Sequence, residues 1–114
     1  MRVRRLGLAR VRGRSMLPTL ADGDLLLVRY DDVPWPDDLA VVRLPVRPDG
    51  VVRPLAVKRI AWRESAGWWV ERDSPEEGVD SWLVGAIPDH DIVAVVVARV
   101  WPPRPVRAQR AVPD

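Results

Sequence analysis

No segment of this chain keeps a helical period; apolar residues come in short runs cut apart by turn-forming clusters. Leu25 to Tyr30, Leu39 to Leu44, Trp68 to Arg72 and Ile92 to Trp101 each read as a strand. Val51 to Arg63 reads as a long extended segment interrupted at Pro54, which implies an edge or a bulge there. The breaks carry their own chemistry. Asp31 to Asp38 holds two prolines and four aspartates, Pro48-Asp49-Gly50 is a turn, and Glu64 to Gly67 closes a hairpin. Asp73 to Gly78 is a polar loop, Asp80 is placed to cap one short helical turn over Ser81 to Leu83, and Pro88 to Asp91 turns the chain into its last strand. Many short strands at close spacing predict an all-β, barrel-like domain.

With 114 residues, one domain with one modest core is expected. Cysteine is absent, which excludes disulfides, thiolate catalysis and cysteine-ligated zinc. The longest wholly apolar run, Ile92 to Ala98, is far too short to span a bilayer, and no apolar segment follows the N-terminal arginines. A soluble, cytoplasmic protein is therefore expected. Residues 1–12 form a basic arm or first strand, 11–102 the body, and 103–114, with three prolines, a disordered tail. Charge follows this division: +6 over residues 1–14, −6 over 15–103 and +2 over the last eleven. The basic arm has no interleaved aromatics for stacking bases, so nucleic-acid binding is not the expectation.

Two stretches carry candidate chemistry. The first is Gly13-Arg14-Ser15-Met16-Leu17-Pro18-Thr19-Leu20, a serine on a bend that cannot be helical. Pro18 fixes its own φ and disfavours helical geometry at Leu17, while Gly13 lets the chain turn sharply before the serine. The second is Lys58, the one lysine among seventeen arginines. On a strand it shares a face with Ala56, Ile60 and Trp62, and Arg59 falls on the other face with Val57 and Ala61. An ammonium among apolar neighbours is disfavoured, so its pKa falls; a shift from ~10.4 to ~8 corresponds to ~3 kcal/mol. A guanidinium stays charged and offers no such base. A lysine that covers apolar surface with its stem and reaches water with its head is the competing reading.

Together these stretches resemble the signal peptidase I type of serine–lysine protease. Its pattern is a G-x-S-M-x-P-T-L segment, then G-D and a strand, then K-R. Gly13 to Leu20, Gly23-Asp24 with Leu25 to Tyr30, and Lys58-Arg59 match it. A third, acidic segment ending in D-S-R-x-x-G is similar to Glu71 to Asp73 and Asp80 to Gly85. The resemblance covers residues 11–102 and implies a coiled, partly open β-barrel of short strands, the signal peptidase-like fold. It implies Ser15 as nucleophile, Lys58 as general base, and the Ser15 backbone N–H as oxyanion donor, with no cofactor and no metal. Gly13 stands where many relatives have a second hydroxyl donor, Gly78 where they have a serine that bonds the lysine, and Trp82 where they have an arginine beside Asp80. Met16 is expected to line the pocket for the residue before the cut, and Pro18 to hold the bend. Ser81 is a candidate supporting donor.

Among such proteases the short members without a membrane anchor resemble the nickel-type superoxide dismutase maturation proteases. The implied function is a serine endopeptidase that removes an N-terminal propeptide from a specific protein, with small residues near the cut and the substrate bound extended as an added strand. One alternative is a self-cleaving domain of the SOS-repressor type, although no Ala-Gly pair precedes Ser15. A second is a binding module that keeps the fold without catalysis. His90, flanked by Asp89 and Asp91, reads as an exposed turn, Ser65 and Ser74 as turn residues. Most of the six tryptophans read as core or strand-pair residues, with Trp35, between two prolines, the exposed exception.

Overall fold

The computed structural model describes residues 5–106. Six strands form one antiparallel sheet: β1 (Leu6–Arg10), β2 (Leu25–Tyr30), β3 (Leu39–Val42), β4 (Ala56–Glu64), β5 (Gly67–Glu71) and β6 (Ile92–Trp101). The order across the sheet is β1-β2-β6-β3-β4-β5, and β1 does not pair with β5. The all-β expectation holds; the expected barrel is an unclosed sheet. Register shifts interrupt β2–β6, β3–β6 and β4–β5 pairing. Such bulges or irregularities break the regular ladder and bend the strands locally.

β3 explains how so small a sheet has two cores. Its four residues are all buried, and alternate ones feed opposite faces. Leu39 and Val41 join Met16, Leu20, Leu26, Val28 and Ala94 in one cluster. Ala40 and Val42 join Leu44, Ile60, Val70 and Ile87 in the other. A strand covered on both faces reads as a continuous apolar run, as Leu39-Ala40-Val41-Val42 does.

Several boundaries differ from the sequence reading. The first strand starts at Leu6, β3 stops at Val42, and β4 begins only after Pro54, which lacks the N–H a ladder needs. One helical turn, α1 (Ser81–Val84), is capped by Asp80, whose carboxylate accepts from the Trp82 N–H. Four of the six tryptophans, Trp62, Trp68, Trp69 and Trp101, lie on paired strands as expected, although none is fully buried. Trp35 is exposed as expected, and Trp62, Trp82 and Trp101 are exposed as well; the register shift between Ile60 and Trp62 turns Trp62 off the face of Ile60. Trp62 instead stacks on its cross-strand partner Trp69, and Trp82 packs edge-on against both. Residues 103–106, assigned above to a disordered tail, stay on the body: Arg104 and Pro105 accept from the Arg99 guanidinium, and Val106 packs on the first cluster. Residues 1–4 and 107–114 lie outside the described residues. No helix among the described residues is long and apolar enough to cross a membrane.

Candidate active site

Ser15 opens a run of turns between β1 and β2, in which Leu17 N–H bonds Arg14 O and Leu20 N–H bonds Met16 O. Gly13 enters this run at φ +81, in the left-handed region a side chain disfavours, and its N–H is held by the Asp22 carboxylate at 2.7 Å. Met16 and Leu20 anchor the turns from below in the first core cluster. The Leu17–Pro18 peptide is cis, and Pro18 itself is exposed.

The loop after β5 clamps the turn from the other side. Ser74 N–H bonds Ser15 O at 2.9 Å, and Arg14 pairs with Glu77 at 3.3 Å. Deeper down, Asp73 takes Arg59 through two guanidinium nitrogens and accepts the Thr19 hydroxyl. The Arg59–Asp73 pair is almost fully enclosed, with side chains 3 % and 0 % exposed. Asp73, Thr19 and Arg59 were not singled out from the sequence. Their signal was the charge of Arg59 opposite the apolar face of a central strand, which only a buried carboxylate could satisfy.

Lys58 lies on β4 directly opposite Ala40 of β3, so the two share a face with Ala56 and Ile60. Only 2 % of the residue is exposed. Its Nζ lies 2.9 Å from Ser15 Oγ across 43 residues of sequence, donating to the hydroxyl oxygen. Burial pushes the Lys58 pKa from 10.5 down to about 8; the Asp80 carboxylate pulls it back up, and the Arg72 guanidinium adds a smaller downward push. The two residues singled out for catalysis are thus in contact, and Lys58 does not reach out to water.

The remaining expected residues fall into place differently. Asp80 is buried, its charge acts on Lys58, and it is met by Arg72, whose Nε lies 4.0 Å from Asp80 and whose backbone N–H bonds the same carboxylate at 3.1 Å. Ser81 is buried, and its hydroxyl accepts the Val70 N–H of β5 at 2.8 Å. Met16 is first a core residue, with one edge on a cleft beside Ser15. At Gly78, φ is +127 and an added Cβ would stand 2.5 Å from Ser15 Cβ. The backbone there approaches the serine as closely as it can, and no side chain fits. His90 is exposed, 3.6 Å from Asp91, and no cluster of metal-ligating residues occurs among the described residues.

Two clefts flank Ser15, of about 310 and 260 Å³, and share Arg12, Ser15, Pro54 and Ala56. Between them lies an unpaired strand edge. β4 residues Ala56 to Lys58 pair with β3 on one side, but β5 extends only as far as the Arg59–Glu71 pair on the other. Among the described residues the Ser15 N–H donates to no acceptor. Chemically, the site offers a hydroxyl, an amine that loses its charge near pH 8, a backbone donor at the hydroxyl's own residue, and an open edge on which an extended chain can lie.

Compared with protein-family models, curated proteins and solved structures, the chain gives no significant match. The likeness to serine–lysine proteases rests on its motifs alone.

Proposed function

We propose that this chain is a serine endopeptidase of the signal peptidase type that cuts an N-terminal propeptide from a specific protein. The observation that carries the reading is the buried Lys58 amine, lowered to about 8 and 2.9 Å from the Ser15 hydroxyl. In the neutral state the amine offers a lone pair, and the contact reverses so that Ser15 O–H donates to Lys58. Ser15 Oγ attacks the substrate carbonyl carbon while Lys58 takes the hydroxyl proton. The Ser15 N–H steadies the negative oxygen of the tetrahedral intermediate. Collapse breaks the C–N bond, and the Lys58 proton passes to the leaving amine. Water, deprotonated by Lys58, then hydrolyses the acyl-enzyme and frees Ser15.

The edge of Ala56 to Lys58 supports extended binding of the substrate as an added strand. By resemblance the substrate class is a precursor such as that of nickel-type superoxide dismutase, and the proposed setting is the cytoplasm. Ser15→Ala and Lys58→Ala are each expected to abolish processing with the fold intact by circular dichroism. A Lys58→Ala protein that still cleaves removes the dyad. The substrate can be sought by capture on Ser15→Ala protein from cell extract, followed by N-terminal sequencing of the fragments the active protein makes from it. Incubation of the purified protein at alkaline pH tests the self-cleaving alternative, because mass spectrometry would then record a shortened chain.

A further inference from the structure

The walls of the two clefts carry a charge that the proposed cleavage chemistry does not use. The larger cleft is lined by Arg12, Arg14, Arg53 and Lys58 and by one acid, Glu77. That acid is already engaged by Arg14 at 3.3 Å. Arg53 bonds the Pro45 carbonyl at 2.6 Å, which fixes the guanidinium without neutralising it. Arg12 is exposed, lines both clefts, and has no ion pair among the described residues. The smaller cleft adds Arg10, whose Nη1 is held by the Gly23 carbonyl at 2.8 Å, and contains no carboxylate among its lining residues. Cations therefore border the open edge of β4 on both sides of Ser15, with Arg10 and Arg53 each held by a backbone carbonyl. They stand out against a body whose residues 15–103 sum to −6.

We infer that the groove selects acidic peptide segments, with Asp or Glu side chains within about three residues of the cut bond meeting Arg12 and Arg53. This inference rests on the endopeptidase reading and names the substrate class for it. The Arg53 guanidinium, held by the Pro45 carbonyl, is pre-organised for a carboxylate, and Arg12, with no ion pair among the described residues, offers a second fork of parallel N–H donors. Arginine has a second advantage in this place. A lysine near the site could compete as a base or nucleophile, whereas guanidinium stays protonated and leaves Lys58 the sole titrating amine in the groove. Basic peptides are repelled by the same walls, and a neutral propeptide receives no help from them.

The test uses paired peptide pools of one design, with Asp and Glu randomised around the centre in one and Asn and Gln in the other. Two readouts are taken: binding to the Ser15→Ala protein by fluorescence anisotropy, and cleavage by the active protein by mass spectrometry. The acidic pool is expected to bind at least tenfold more tightly at low salt, with the gap shrinking as ionic strength rises. In the Arg12→Gln/Arg53→Gln protein the acidic-to-neutral ratio should fall about fivefold or more, while Arg63→Gln, at an exposed pair with Asp89, keeps it. Equal binding of the two pools, or a ratio untouched by the double substitution, overturns the inference. Preferential binding without any Ser15-dependent cleavage keeps the acidic preference and defeats the endopeptidase reading instead. Cleavage indifferent to charge does the reverse.

Discussion

Lys58 is held where an ammonium is unwelcome, and that has a sign that can be measured. With the folded pKa near 8 and the unfolded value at 10.5, the unfolded chain binds more protons between those pH values. Stability contributed by this group therefore rises as pH goes from about 8 to 10.5, and the full penalty, about 3 kcal/mol, applies below that window. Lys58→Met removes the penalty along with the base. The expected result is a protein more stable by about 2 kcal/mol at pH 7 by urea denaturation, with the pH-dependent gain above 8 gone and no cleavage. In the native protein, cleavage is expected to rise with pH along a single titration centred near 8, read as kcat/KM. Gly78 gives a second prediction at this scale. Gly78→Ser restores the hydroxyl that the resemblance places there, yet its Cβ has no room beside Ser15 and its φ of +127 is strained. A loss of at least about tenfold in activity and about 2 kcal/mol in stability is expected, rather than a gain.

Among the elements, the loop from Asp73 to Gly78 holds the serine in register with β4. Asp73→Ala leaves a buried guanidinium short of its carboxylate and detaches Thr19 from the same network. Thermal unfolding should report a loss of about 3–5 kcal/mol, against less than about 1 kcal/mol for Arg63→Ala at the exposed pair with Asp89. Strands whose faces were plainly marked were legible from the residues. β2 and β6 fall where their apolar runs lie, and α1 starts at Ser81, directly after its cap Asp80. The Ser15–Lys58 contact was legible too, because a lone lysine in an arginine-rich chain invites the question of what an arginine could not do there. Two things were not. Arg72 reaches Asp80 across the fold, a contact between elements that no local pattern encodes. The β4 bulge, which turns Trp62 out to join Trp69 and Trp82, depends on pairing with β5 and so is invisible along the strand itself.

For the whole molecule, Arg99 is the tie between the chain's last described residues and its serine. Its guanidinium is 6 % exposed, pairs with Asp24 at 2.9 Å, bonds Thr19 O at 3.0 Å, and holds the carbonyls of Arg104 and Pro105. Removing everything after Pro102 opens that cage and uncovers the apolar cluster beneath Val106. A drop of about 1–2 kcal/mol in unfolding free energy is expected, together with weaker activity, since Thr19 sits in the turn that presents Ser15.

Lys58 and Arg59 are neighbours on one strand and face opposite ways, one toward Ser15 and the other toward Asp73. If β4 slid by a single position during assembly, then depending on direction either the permanently charged Arg59 would meet the hydroxyl or the Lys58 amine would be locked against the Asp73 carboxylate. Neither arrangement can draw off the serine proton. Under the proposed function, a chain caught part-way through folding would be inert, and hydrolysis would be withheld until the strands have found their final alignment.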